Sequence, residues 1–387
     1  MASSCPEAIR KSTEWKSTGS AVVRLRDAFS FFTRHVLIVS WVLVSSAVYA
    51  QEPESIDESE RHDSGWEIYL DNDAFSLLPL DQDYTGGLAV TLYGKRVTQY
   101  PFSLESIRDK IDQWSGSDWR YRSKKTFELH SFGFGYAAFT PKNTSASTPV
   151  YDDRPYASLV YIANTQQTVA YEENQVFQST LMLGVLGLGV AEFIQNTVHS
   201  ALGQGTANGW HNQISNGGEP TFRYTLARQV THKKRYVKNG IDYELKSTAD
   251  VSVGYITDVS LGLGTRFGDI RSPWWSFNPH QFDYSNMGIP TCRTGCSIRV
   301  EELFFWGGVD LRYRFYNALL QGQFRESTVT YSASEMNPWI AEAWGGVTKR
   351  FQNGYKFSFV LRASTPELRV GEPRNPVWAG IIVGRSF

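Results

Sequence analysis

Beyond residue 50 the chain has no apolar run long enough to cross a membrane as a helix, which takes about 20 residues. Apolar and polar residues alternate there instead with a period of two. Trp66, Ile68 and Leu70 alternate with Glu67, Tyr69, Asp71 and Asp73. Leu88, Val90 and Leu92 share a parity with Tyr84, and Thr85, Gly87, Ala89, Thr91 and Tyr93 take the other. Ala379, Ile381, Val383 and Phe387 repeat the pattern up to the chain end, with Arg385 as the exception. A strand whose faces differ this way separates an apolar medium from a polar one. Segments of about ten residues patterned like this, with aromatics near their ends, are the signature of a transmembrane β-barrel.

Composition agrees. Aromatic residues make up 14% and glycines number 32, which excludes a disordered chain and disfavours one built of long helices. The mean hydropathy of -0.33 leaves no room for a bundle of membrane helices. Twelve strands are expected, near 66–74, 84–95, 126–139, 155–171, 175–189, 219–236, 242–256, 258–267, 301–315, 336–351, 355–366 and 376–387. An even count suits a bacterial single-chain barrel, and 317–333 is a further strand candidate. The fold class expected is all-β, an antiparallel up-and-down barrel. A secreted β-sandwich would have shorter strands and a less aromatic exterior. The aromatic excess is assigned to the lipid-facing parity and the membrane borders.

The first fifty residues read as a signal peptide. Residues 1–34 carry six bases and three acids, then comes the apolar run Val36–Val48, ending Val48-Tyr49-Ala50. A basic region, a short apolar core and a small-x-small end make an export signal, with Gln51 as the mature start. A signal-anchor is the alternative, and the long basic region leaves open a start downstream of Met1. The 337 residues that follow hold 32 bases and 36 acids, so nucleic acid is not an expected partner. Residues 51–64 read as a flexible acidic leader and 65–387 as the barrel. Cys292 and Cys296 fit a small disulfide loop in an oxidising compartment.

The polar residues that carry chemistry gather in connections from an odd strand to the next even one. These are Asp71-Asn72-Asp73, Asp83-Tyr84-Thr85-Gly86-Gly87, Asp152-Asp153-Arg154-Pro155-Tyr156 and a helical stretch over 190–203. In that helix Ile194, Val198 and Ala201 form an apolar face, and Glu192, Gln195 and His199 fall at i, i+3 and i+7 beside it. Gly203 can end it. In an up-and-down barrel all such connections share one rim. With the N-terminus in the periplasm, that rim faces outside the cell. Each cluster also has a plainer reading: a turn at Asn72-Asp73, a strand bend at Thr85-Gly86-Gly87, a rim turn with an Arg–Asp pair at 152–156, and a solvated His199. Convergence on one rim weighs against all four together.

Asn72-Asp73, Tyr84-Thr85-x-Gly87, Asp153-Arg154-Pro155-Tyr156-Ala157, Gln195-x-x-x-His199 and Gly209-Trp210-His211-Asn212-Gln213, in this order over 66–220, resemble the outer-membrane lipid A 3′-O-deacylases. The later half of the barrel matches in strand pattern more than in motif. The resemblance implies a twelve-stranded barrel with its site between the wall and a helix in an outer loop. It implies calcium-dependent ester hydrolysis, with lipopolysaccharide in the outer leaflet as substrate. His199 would be the general base, Asn72 and Asp73 would belong to the calcium and oxyanion region, and Thr85 and Gln195 would support them. Two positions depart from the family pattern. Gly205 stands where the family can carry Glu, and Ala146 where Lys is expected, with Lys142 the nearest substitute.

The residue types suit that chemistry. A neutral imidazole can take a proton from water near physiological pH, and calcium takes the oxygen ligands that Asn72 and Asp73 offer. No Gly-x-Ser-x-Gly elbow is present, and Ser200 is turned about 100° from His199 on a helix. An outer-membrane phospholipase and a non-enzymatic pore or adhesin are the alternative functions. Acyl-chain preference, oligomeric state and the role of 96–124, with Trp114 and Trp119, are not legible.

Overall fold

A computed structural model describes residues 60–76, 83–116, 126–202, 205–235, 241–277, 301–371 and 373–387. The proposed signal peptide, most of the leader, Cys292, Cys296, Trp119 and Gly203 lie outside them. Twelve strands close into one antiparallel barrel in sequence order. They are β1 Gly65–Asn72, β2 Asp83–Tyr93, β3 Thr126–Thr140, β4 Ala157–Ala170, β5 Gln175–Leu186, β6 Glu219–Arg235, β7 Asp242–Gly254, β8 Ile256–Asp269, β9 Glu302–Asn317, β10 Trp339–Arg350, β11 Tyr355–Ser364 and β12 Val377–Ser386. The expected strands agree within a few residues. The 317–333 candidate is instead a single helical turn, Ala318–Gln321, followed by loop. Asn317 caps that turn by accepting from the Leu319 amide, and the chain then runs on without a ladder partner.

Closure comes from pairing β1 with β12, Gly65 opposite Ser386 through Asn72 opposite Ala379. Every edge is thereby removed, the condition for strands in lipid. Outward positions are apolar and exposed, such as Val259, Leu261, Leu263 and Phe267 on β8. None of the described helices is long and apolar enough to cross a membrane. The last residues of the leader lie on the wall, where Glu60 accepts from the His130 amide at 2.6 Å.

Two sequence expectations are corrected here. A bulge at Thr85, between the pairs Tyr84–Phe139 and Gly86–Ala138, turns Tyr84 away from the face of Leu88. Tyr84 is buried inside and donates to Asp71 Oδ1 at 2.7 Å. An extra residue in one strand flips everything on one side of it. The aromatic excess is also not confined to the lipid face, because much of it fills the lumen. The β8–β9 connection folds back inside, and Ile270 and Phe277 pack with Tyr69, Phe304, Trp306 and Trp344. Phe277 meets Phe304 and Trp306 edge-on at 5.1 and 5.2 Å between ring centres. Trp274 and Trp275 pack on Phe127, Leu129, Val169 and Val176.

Buried charges hold this segment in place. Lys246 Nζ donates to the Trp274 carbonyl at 2.5 Å. Arg266, wholly buried, bonds Glu244 at 2.7 Å and the Ser272 hydroxyl at 2.9 Å. Glu302 accepts from the amides of Arg271 and Ser272 at 3.0 and 2.8 Å. Pairing of this kind offsets the cost of burying each ion. A lumen packed this way predicts no stepwise conductance from the purified chain in planar bilayers. Stable open-channel steps would contradict it and restore the pore reading.

Candidate functional site

The connections β1–β2, β3–β4, β5–β6, β7–β8, β9–β10 and β11–β12 share one rim, as the strand order requires. At the end of β1, Asn72 Nδ2 donates to the Thr85 carbonyl at 2.5 Å, and Thr85 Oγ1 bonds Thr140 Oγ1 at 2.5 Å. Asp73 is buried and opens a 3-10 turn, Asp73–Ser76. The bulge therefore has a use. It brings the Thr85 carbonyl to Asn72 and its hydroxyl to β3.

The β5–β6 connection carries the expected helix, α1 Val190–Leu202. Its inward face is Ala191, Gln195 and His199, at 1%, 5% and 6% exposure, spaced i, i+4 and i+8. Glu192 faces solvent, so it is not part of the polar face that the spacing suggested. The orientation inverts the usual rule. Val190, Phe193 and Val198 are exposed, Phe193 at 73%, while the two polar side chains are buried. Packing with Ala138 at the end of β3, and with Tyr156, Ala207 and Trp210, fixes this face.

Two hydrogen bonds orient the polar pair. His199 Nδ1 lies 2.7 Å from the Gly205 carbonyl oxygen. A carbonyl only accepts, so Nδ1 carries a proton, and the tautomer this selects has its lone pair at Nε2. The backbone carbonyl at 205 thus orients the ring although no carboxylate stands there. Trp210 Nε1 donates to Gln195 Oε1 at 2.8 Å, which turns the buried amide Nε2 of Gln195 to the other side, without a partner among the described residues.

Trp210 is fully buried and packs at a tilt against Tyr156, 4.9 Å between ring centres. A side chain at Gly209 would put its Cβ 2.5 Å from the Tyr156 ring and 2.8 Å from the Ala146 carbonyl, which explains the Gly-Trp pair. Asn196 holds the returning loop through the Ala207 amide at 2.8 Å. The sequence pointed to Gly209–Gln213 as a motif but gave Trp210 no role. Its tie to Gln195, fifteen residues away, needs the tertiary fold. His211 and Ser200 are exposed. Lys142 is exposed as well, and its amide donates to Asp153 at 2.8 Å.

The cluster at 152–156 lies in the β3–β4 rim connection, and its Arg and Asp pair with other partners than each other. Arg154 pairs with Glu367 and stacks over Phe139 at 4.3 Å, and Asp153 pairs with Arg374. Burial would raise the Glu367 carboxyl, but Arg154 and Arg314 outweigh it and hold the group below the usual carboxylate range. Tyr331 donates to the carbonyls of Tyr151 and Asp153 at 2.7 and 2.6 Å. Burial, with the carboxylates of Asp153 and Asp152, pushes that phenol up to about 12. The group ties three rim connections together, β3–β4, β9–β10 and β11–β12.

Among the described residues no three His, Cys, Asp or Glu side chains form a metal cage. Asn72 and Asp73 fit as part of an oxygen shell. The Asn72 amide nitrogen is committed to Thr85, which leaves Oδ1 as its acceptor end, and Asp73 supplies a buried carboxylate. A hard cation accepts that donor chemistry and completes its shell from carbonyls and water.

A search of curated proteins by sequence finds no match. Among solved structures the chain is similar to LpxR from Salmonella typhimurium, with a TM-score of 0.63 at 16% identity, covering 84% of this chain and 100% of that one. An outer-membrane channel from Pseudomonas putida is matched at a TM-score of 0.41 and 10% identity, over 89% of this chain and 100% of that one. The β domain of the Bordetella autotransporter BrkA gives 0.39 and 10%, over 84% and 100%. The first of these shares the fold. The family model for outer membrane protein LpxR matches residues 36–387. With the closed twelve-stranded barrel and the rim motifs on the same stretch, the chain belongs to the LpxR family of outer-membrane proteins.

Proposed function

We propose that the chain is a lipid A deacylase that hydrolyses the 3′-linked acyl ester of lipopolysaccharide, from the rim that faces the outer leaflet. The observation that carries this reading is His199, buried on the inner face of α1 with Nδ1 held by the Gly205 carbonyl. A ring held that way is ready to act as a base at Nε2. Family membership and the ordered motifs support the substrate class. The exposed apolar residues of α1 suit a substrate made of acyl chains.

His199 takes a proton from water through Nε2 as the oxygen attacks the ester carbonyl carbon. A tetrahedral oxyanion forms, and collapse breaks the bond to the sugar oxygen. His199 returns its proton to that leaving oxygen, so the products are a fatty acid and a free sugar hydroxyl. The buried Gln195 amide is a fixed donor suited to the oxyanion. Thr85 holds Asn72 in place through its carbonyl. Asn72 and Asp73 would hold calcium. When bound, the ion supplies positive charge that polarises the ester carbonyl. No serine nucleophile is needed, and Ser200 lies on the exposed face of the helix.

The decisive measurement is the mass of lipid A before and after exposure to the purified chain. Loss of one acyl or acyloxyacyl unit from the 3′ position is expected. Unchanged lipid A together with fatty acid release from phospholipid would establish the phospholipase alternative, and no release from either would overturn hydrolysis.

A further inference from the structure

The connection between β2 and β3 leaves the rim opposite the candidate site and carries a helix, α2 Glu105–Trp114. This helix docks on the outside of the barrel. Its partners are Asn164, Ser179 and Tyr224, which share the outward parity of Phe134, Leu183 and Phe222 through the ladders β3–β4, β4–β5 and β5–β6. The latter three are exposed at 47%, 37% and 49%.

The contact is polar. Arg108, fully buried, bonds Asp112 at 2.6 Å, Asp109 at 2.6 Å and the Ser179 hydroxyl at 2.5 Å, and it pairs with Glu105. Ser179 Oγ donates to Asp112 at 2.9 Å, and Tyr224 donates to Asp112 as well. Asn164 accepts from the Leu104 amide at 2.8 Å and donates to Ser103 at 3.1 Å.

The wall beneath is unlike its neighbours. On β8 the outward positions Val259, Leu261, Leu263, Thr265 and Phe267 make a band nine residues long, apolar but for Thr265, about what one membrane-crossing strand requires. On β4 the outward positions are apolar at Val160 and Ile162, then become Asn164, Gln166 and Thr168 before Ala170 ends the strand. The lipid-facing band of β4 is too short by itself. The residues that α2 turns outward fall into two stripes. Ile107, Ile111 and Trp114 form one, with Ile107 at 48% and Trp114 at 89% exposure. Ser106, Lys110 and Gln113 form the other, all exposed. At 100° per residue the stripes stand about a quarter turn or more apart, so the helix has a protein side, an apolar side and a polar side. The apolar side continues the wall, because Phe102 packs on the outward Phe132 at 5.2 Å between ring centres.

We propose that α2 is an interfacial helix that completes the lipid-facing surface over β4 and β5. Its Ile107, Ile111 and Trp114 stripe enters the phospholipid leaflet on the side of the membrane opposite the site, and its Ser106, Lys110 and Gln113 stripe meets water. Tryptophan at such a border and an apolar flank beside a polar one are what this position selects. The Arg108 cluster hides its charges against the wall, where an uncovered Asn164, Gln166 and Ser179 would otherwise face hydrocarbon.

The test is a cysteine scan of the full chain with Cys5, Cys292 and Cys296 replaced by serine, reconstituted in phosphatidylethanolamine and phosphatidylglycerol vesicles. Nitroxide labels are placed singly at 106, 107, 110, 111, 113 and 114, all at or near the surface, and heat-modifiable gel mobility confirms the folded barrel. The oxygen-to-nickel collision ratio is expected to rise at 107, 111 and 114 and to fall at 106, 110 and 113, following the helical repeat. Six equally nickel-accessible labels would place the helix in water and overturn the proposal. Six equally oxygen-rich labels would also overturn it, since the polar stripe would then lie in hydrocarbon.

Discussion

His199→Ala is expected to abolish measurable acyl release from lipid A while the barrel folds and inserts as before. Removing a general base costs roughly 10²- to 10⁴-fold in rate. Here the ring is buried, and its Nδ1 bond to the Gly205 carbonyl fixes which nitrogen is basic. The structural cost is small. One hydrogen bond at the rim contributes about 1 kcal/mol, and no strand pairing depends on it. Heat-modifiable mobility should therefore match the parent chain while deacylation, followed by lipid A mass, disappears. His211→Ala is the control. His211 is exposed, twelve residues away on the return segment, and its loss should leave activity near the parent level. Full deacylation by His199→Ala would remove the base assignment, whatever the control does.

Chelation should produce the second large effect. If Asn72 and Asp73 form part of a calcium shell, EGTA silences acyl release and added calcium restores it. Asp73→Asn keeps the size of the side chain but removes its charge, so restoration should then require a higher calcium concentration. Neither treatment should move the barrel's resistance to unfolding much, since the strand ladders run without Asp73. An enzyme indifferent to chelation would refute the metal part of the proposal and leave the His199 part standing. The two experiments thus separate base from cation.

Much of the barrel was legible because its cause is local. A strand with lipid on one side and a packed interior on the other must alternate, and Trp66, Ile68 and Leu70 against Glu67, Tyr69 and Asp71 display that directly. The chain of strands then placed Asn72, Thr85, Gln195 and His199 at one rim by topology alone. The cluster at 152–156 does lie in a rim connection, but Arg154 found Glu367, 213 residues away, rather than a neighbouring Asp.

What the pattern could not reveal depends on closure. The bulge at Thr85 adds one residue with no change of composition, yet it decides that Tyr84 points inward. Lumen-filling aromatics and lipid-facing aromatics have the same hydropathy, so Phe277 and Trp306 looked no different from Phe267. Both helices bury polar side chains and expose apolar ones, opposite to the rule for a water-soluble surface. Sequence periodicity found α1 but could not say which of its faces met the wall.

The sequence by itself determined an antiparallel barrel of about twelve strands, the rim on which its polar motifs gather and the residue types available there. Hydropathy along a strand is dictated by the two media that the strand separates. Only the tertiary structure decided how those residues are aimed: His199 by the Gly205 carbonyl, Gln195 by Trp210, Asn72 by the Thr85 carbonyl, and α2 by Ser179 and Tyr224. The wall partners of α2 come from strands that reach it only when the barrel has formed. The shorter contacts depend on one extra residue at a bulge or one missing Cβ at Gly209, which no alternation pattern records.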